Sequence, residues 1–406
     1  MSKSKILVVG GTGYIGKRIV KASLDQGHPT YVFMRRELGF EIEKLQMLLS
    51  FKKQGAHLVE GSYSDHQSLV DAVKQVDVVI CTISGVQFRS HHILLQLKLV
   101  DAIKEAGNIM RFLPSEFGLD PSRTESDVEY GKETFEDKMV IRKAIEDAKI
   151  PYTYISANCL GGYFVGNLAQ LGSLIPPKDR VSIYGDGNCK VVFMDEDDVA
   201  TYTIKTVDDP RTLNKTLYLR PNENILTHKQ LVQKWEKVSN KTLKKLHVSN
   251  EDFLASMELD MDNAIRAALA RIYHIFYKDA GNTFHIHTND NNNSTHIPFK
   301  LRVLRIIEYR CNAIVVTWIM NSVSQDVYMS LVYFGNVAYV WKELESTYDR
   351  VDASVIFNLL QNINNVKQDG RASLFNDSGA NQHLTMSSVG MFDVIDITSL
   401  QITAIA

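Results

Sequence analysis

Short apolar runs and longer segments of helical period take turns along the first 156 residues. Val-, Ile- and aromatic-rich runs fall at 5–9, 30–34, 57–60, 76–81, 110–113 and 152–156, lengths that suit buried strands. Between them, 14–26, 41–53, 65–73, 90–106 and 135–147 repeat their apolar residues three and four apart, which predicts helices. Strict alternation of this kind predicts an α/β fold, a doubly wound parallel sheet with helices on both faces. Ligands of such sheets bind beyond the carboxyl ends of the strands.

The first strand runs directly into Gly10, Gly11, Thr12, Gly13, Tyr14, Ile15 and Gly16, where a helical pattern begins. A strand–glycine–helix junction offers a pyrophosphate its backbone N–H groups and the positive end of a helix dipole. Gly10 serves the tight turn, Gly13 the approach of the phosphates, and Gly16 the packing of helix on sheet. A glycine turn without a ligand is the plain alternative; the strand before it and the helix after it favour a Rossmann nucleotide site. The second strand ends at Arg35, 19 residues beyond Gly16. An acidic residue at that point suits NAD, whereas an arginine accommodates the 2′-phosphate of NADP, and Lys44 offers a second cation. A solvated basic turn is the competing reading; the expected cofactor is NADPH.

Parallel topology brings three distant segments to the glycine turn: Ser84 with Gly85 and Val86, Ser115 within 114–118, and Asn158. The helix at 135–147 carries Lys138, with Met139, Ile141 and Ala144 predicted as its inward stripe. A lysine partly desolvated beside a cationic cofactor has its pKa lowered toward the operating pH, where it serves as acid or base. Spacing alone does not separate Lys138 from a surface helix lysine.

Composition narrows the partners. At 406 residues, two or more units are expected. A net charge of −2 gives no reason to expect nucleic acid or an anionic membrane. Four scattered cysteines lack metal-ligand spacing and read as reduced thiols, so no metal is expected. No apolar stretch is long enough to span a bilayer, and Met1 lies so close to the first strand that no signal peptide is expected. The expected location is the cytoplasm.

Together the glycine turn, RFLPSEFG at 111–118, Lys138 within EDKMV (136–140) and YISAN at 154–158 resemble the plant isoflavone reductase-like family. This is an atypical short-chain dehydrogenase group with an NmrA-like fold. Within it, LQLKLVDAIKEAG (95–107), SANC (156–159) and DPRTLNK (209–215) are most similar to the pinoresinol–lariciresinol reductases. The resemblance covers residue 4 to about 258 and, more loosely, to about 285. It implies an NADP-binding Rossmann domain at 1–156, a smaller substrate lobe at 157–285 and a homodimer. It also implies that Gly10–Gly16, Arg35 and Lys44 hold NADPH, that Lys138 is the catalytic acid/base and that His274 stands on the substrate side. The implied substrate is a small phenolic lignan: Lys138 moves a proton from the phenol para to a benzylic ether, the ether oxygen leaves a quinone methide, and NADPH supplies hydride. Tyr163 and Phe164 suit aromatic walls and core equally well. Two rivals stand: a reductase of another phenylpropanoid (isoflavone, phenylcoumaran or propenylphenol ester), and an NADP-binding sensor without catalysis, which would have no need of Lys138.

Beyond residue 285 the chain changes character. NDNNNST at 289–295 lies in a polar run that reads as a linker, 286–298. Segments at 311–320, 340–348 and 354–363 resemble the gag polyprotein of copia-type retrotransposons, giving a gag-like helical unit at 299–369. NDSGANQHLT at 376–385 resembles the start of that element's aspartic protease, with 370–406 expected to be disordered. Asp377 matches a catalytic aspartate there, but such proteases need two, so activity is not expected; an extra helical subdomain or a mispredicted gene reading into a transposon is the plainer reading. This foreign segment stands where the family ends in a strand and helix packed on the substrate lobe. Apolar surface left wet costs about 25 cal/mol per Å², so a weakened reductase domain is expected.

Overall fold

The computed structural model describes residues 3–35, 42–83, 92–123, 133–170, 176–177, 179–257, 263–278 and 294–295. Ser84, most of the expected linker and both units expected beyond residue 298 lie outside the described residues. The amino-terminal half alternates as β1 (Ile6–Val9), α1 (Gly16–Asp25), β2 (Thr30–Met34), α2 (Ile42–Lys53), β3 (His57–Glu60), α3 (His66–Val73), β4 (Val78–Cys81), α4 (Gln96–Ala106), β5 (Arg111–Leu113), α5 (Glu133–Asp147) and β6 (Thr153–Ser156). Five strands pair in the parallel order β3-β2-β1-β4-β5. A parallel bridge between Phe112 and Tyr152 carries the sheet on to β6.

Burial on both faces explains the unbroken apolar runs. On one face Ile6, Val8, Val32, Val78 and Ile80 pack with Ile19 and Val20 of α1 and Leu48 and Phe51 of α2. On the other, Leu7, Val9, Phe33, Val79 and Cys81 pack with α3, α4 and α5. Asp65 caps α3 by accepting from the Ser68 amide at 3.2 Å, and α4 stops at Gly107, where φ is 66°.

The substrate-side half contains β7 (Cys159–Leu160), α6 (Gly161–Phe164), β8 (Arg180–Tyr184), β9 (Lys190–Met194), α7 (Glu196–Thr206), β10 (Lys215–Tyr218), β11 (Ile225–Thr227), α8 (His228–Ser239), β12 (Lys244–Val248), α9 (Asn250–Met257) and α10 (Asn263–Phe276). β10 pairs parallel with β6 and returns to the main sheet. Three smaller pairings, β8–β12, β9–β11 and β7–β9, build the lobe around Tyr184, Phe193, Trp235, Phe253 and Phe276.

Two details differ from the sequence reading. Met139 is 40% exposed, and the buried face of α5 is Phe135, Ile141, Arg142 and Ile145. A paired arginine takes the position that an apolar pattern would fill. Within the expected linker, β13 (Ser294–Thr295) pairs parallel with Thr216 and Leu217 at the open edge of β10, because pairing uses backbone N–H and C=O groups that residues with polar side chains carry as well as apolar ones.

Candidate active site

The glycine turn has the form a phosphate cradle requires. Gly10 has φ of 84°, and the Gly13 amide donates to its carbonyl at 2.9 Å. A Cβ on Gly16 would sit 2.0 Å from the Gly10 oxygen, and one on Gly10 would meet Thr82 Oγ1 at 2.8 Å. Gly13 differs: its Cβ would touch only the Gly10 oxygen closely, at 3.1 Å. The turn is therefore packed tight beneath and free of side chain at Gly13, where a phosphate would approach. Thr12, Tyr14 and Ile15 are half-buried around it, and Gly11 lies against Val32. These residues fit the diphosphate of a dinucleotide.

Arg35 stands exposed just beyond β2, and Lys44 is half-buried in the first turns of α2. Ser115 donates its hydroxyl to the Ile83 carbonyl at 2.6 Å, while its amide bonds the Gln96 side chain at 2.8 Å. Asn158, buried with φ of 52°, donates its side-chain amide to the Leu219 carbonyl at 2.9 Å. Its backbone N–H donates to Gly118. Both residues thus lash strand ends together at the carboxyl edge of the sheet.

Lys138 lies half-buried on α5 and donates to the Glu116 carbonyl at 2.7 Å. Beneath it, Arg142 is clamped by Glu116 (2.8 and 3.0 Å) and Asp120 (2.9 Å), and Tyr218 donates to Asp120. Burial lowers the Lys138 pKa; Glu116 and Asp120 oppose that shift, while Arg271 and Arg142 add to it. Asp120, despite burial pushing the other way, is held below the usual carboxylate range chiefly by Arg142.

His274, 1% exposed, sets its ring edge-on to Phe135 at 6.1 Å, one helical turn from Lys138. Arg271 is one turn earlier on α10, so this helix turns one face toward the lysine. The two candidate aromatic walls separate. Tyr163 is 52% exposed with its ring 5.1 Å from that of Tyr14, whereas Phe164 packs on the lobe core. Glu196, which the sequence did not single out, accepts from both Tyr14 (2.8 Å) and the Gly162 amide (2.7 Å). Arg142, Glu116 and Arg271 were missed as well; the one available signal was the placement of Glu116 inside RFLPSEFG.

A surface cavity of about 460 Å³ lies elsewhere, between the outer face of α5 and the beginnings of β6 and β10. Of the residues around Lys138 it is lined by Arg142 alone, and none of the residues singled out from the sequence as binding or catalytic borders it. The described cysteines form no disulfide: Cys81 and Cys159 are buried and Cys189 donates to the Ile275 carbonyl. Burial pushes the Cys81 thiol up to about 12 and raises that of Cys159 as well. Among the described residues no His, Cys, Asp or Glu cluster is placed to hold a metal, and no helix is long and apolar enough to cross a membrane.

Known proteins resemble this chain in sequence and fold. Over 286 residues the chain is 66% identical to the bifunctional pinoresinol-lariciresinol reductase 1 of Linum usitatissimum, spanning 70% of this chain and 91% of that protein. Over 289 residues it is 64% identical to an isoflavone reductase homolog of Lupinus albus, spanning 71% and 92%. The structure of AtPrR2 with NADP+ and (+)pinoresinol aligns with a TM-score of 0.68 at 60% identity, covering 70% of this chain and 90% of that one. The leucoanthocyanidin reductase–NADPH complex from Vitis vinifera aligns at 0.64 with 34% identity, covering 72% and 92%. The NmrA-like family profile matches residues 2–329, and with the glycine turn, the sheet order and these likenesses in agreement, the chain belongs to the NmrA-like family.

Proposed function

We propose that this protein is an NADPH-dependent reductase that opens a benzylic ether of a lignan, pinoresinol or lariciresinol. The observation that carries the reading is Lys138: half-buried on α5, its ammonium directed by the Glu116 carbonyl and bordered by two arginines. That is a lysine prepared to exchange a proton. The 66% identity to a bifunctional pinoresinol-lariciresinol reductase supports the substrate class.

In this reading the backbone of Gly10, Gly11, Thr12, Gly13, Tyr14, Ile15 and Gly16 would hold the diphosphate, and Arg35 and Lys44 the 2′-phosphate, with Ser84, Ser115 and Asn158 framing the nicotinamide end. NADPH, when bound, supplies the hydride. The chain's own task is proton management and position. Neutral Lys138 takes the proton of the phenol para to the ether, and electron flow through the ring breaks the benzylic C–O bond. Lys138 returns that proton to the departing oxygen, which leaves as an alcohol. The phenolate that remains once the benzylic carbon is reduced takes a proton from water. Tyr163 flanks the ring at the mouth, while Phe135 and His274 close the far wall.

The test is purified full-length protein with NADPH and a panel of lignans and isoflavonoids, with Lys138→Ala alongside. Consumption of pinoresinol or lariciresinol that is lost in the variant supports the reading. Preference for an isoflavone, which the likeness to the lupin protein favours, would move the substrate. Cofactor binding with every substrate untouched would make the protein a sensor.

A further inference from the structure

Glu196 is the first residue of α7 and only 5% exposed. One of its oxygens accepts two hydrogen bonds, from the Tyr14 hydroxyl at 2.8 Å and from the Gly162 amide at 2.7 Å. These partners belong to opposite halves of the site. Tyr14 is part of the glycine turn, 182 residues away in sequence, and Gly162 lies in the first turn of α6. The residue before α6, Leu160, makes no side-chain cap bond. Glu196 therefore supplies from another helix the acceptor that an N-terminal amide needs.

Each partner is fixed further. The Arg18 guanidinium stacks 4.5 Å from the Tyr14 ring, donates to the Tyr14 carbonyl at 2.7 Å, and pairs with Asp197 at 3.0 Å. Asp197 adjoins Glu196, so α7 grips the glycine turn at two neighbouring points. On the substrate side, Gly162 is followed by Tyr163, whose ring tilts 48° against Tyr14 at 5.1 Å. Tyr163 lies within the field of Arg271, and Arg271 within that of Lys138.

We infer that Glu196 is a positioning residue that couples cofactor to substrate, holding the glycine turn and the Tyr163 end of α6 at one fixed separation. The inference rests on the reductase reading above. A nucleotide seated on the turn steadies Tyr14, and through Glu196 it steadies the aromatic wall that the phenolic ring meets. Thermodynamic linkage makes the effect mutual.

The test uses the full-length protein and three variants, Tyr14→Phe, Glu196→Gln and Glu196→Leu. Steady-state kinetics give the pinoresinol KM and kcat at saturating NADPH, and calorimetry gives the NADP+ Kd with and without pinoresinol. Tyr14→Phe, which removes one oxygen and leaves the Glu196–Gly162 bond, raises the lignan KM about fivefold or more, with a smaller fall in kcat. It also erases most of the mutual tightening, which is expected to be on the order of tenfold. Gln keeps an acceptor at this position and restores much of the coupling; Leu does not. If wild type turns over lignan and Tyr14→Phe retains both KM and coupling, the inference is overturned while the reductase reading stands. If wild type binds no NADP+ and reduces no lignan, both fall.

Discussion

At Gly16 the turn has room for a hydrogen and nothing larger, since a Cβ would stand 2.0 Å from the Gly10 oxygen. A Cβ on Gly13 would meet the same oxygen less severely, at 3.1 Å. The two glycines therefore fail differently. Gly16→Ala is expected to lower stability by roughly 1–3 kcal/mol through overpacking and to abolish NADPH binding. Gly13→Ala should lower the thermal midpoint much less than Gly16→Ala does and weaken NADPH about tenfold, about 1.4 kcal/mol. Calorimetric titration and thermal unfolding separate them. Lys138 gives a pH signature. Burial together with Arg271 and Arg142 holds its ammonium below the ordinary 10.5 against the pull of Glu116, so kcat/KM rises with pH as the lysine deprotonates and levels off below 10.5. Lys138→Ala should lower turnover roughly 10²–10⁴-fold and remove that limb while leaving the NADPH Kd in place.

Which elements were legible follows from how each is buried. β1, β2 and β4 are covered on both faces, so their sequences are unbroken apolar runs that no other element explains. β12 is exposed at four of its five residues, and its partner β8 lies more than sixty residues earlier. No local pattern announces such a strand. The inward face of α5 was misjudged at Met139 because Arg142 is buried, and its reason for being there, Glu116 and Asp120, belongs to another segment. The glycine turn could be read because its chemistry is contiguous; Glu196 could not, because its partners are distant. Helix α8 begins with a capping box, Thr227 with Gln230, so Thr227→Ala should cost about 1 kcal/mol in urea unfolding. The next residue, His228, donates from Nε2 to the Leu168 carbonyl and accepts at Nδ1 from the Tyr184 amide. Burial pushes its pKa down to about 4, with the bond to Leu168 opposing. As pH falls below 6.5 the unfolded chain takes up this proton first. The stability it contributes, about 3 kcal/mol, is thus present above 6.5 and lost by about pH 4. His228→Gln should flatten the urea midpoint across that interval.

For the whole molecule, the two halves share a core: Val192 and Met194 of β9 and Val199, Ala200 and Tyr202 of α7 pack with the α1 face of the sheet, Leu119 and Phe135 join the lobe core, and Glu196 ties α7 to the turn. The family resemblance leads us to expect a strand and helix where this chain has the residues beyond 298, which lie outside the described residues. Exchanging them for the carboxyl terminus of the flax reductase is expected to raise both the thermal midpoint and lignan turnover; equal values in the two proteins would contradict the expected weakening. One feature of the interior bears on how long such a catalyst lasts. The proposed chemistry releases a soft electrophile at every turnover, and thiolates add to it readily. Cys159 directly follows Asn158 at the framing edge of the site, yet its sulfur is enclosed and held as the unreactive thiol, as is that of Cys81. Those two positions therefore offer such an electrophile no exposed thiolate, and suicide inactivation is not expected to begin at either of them.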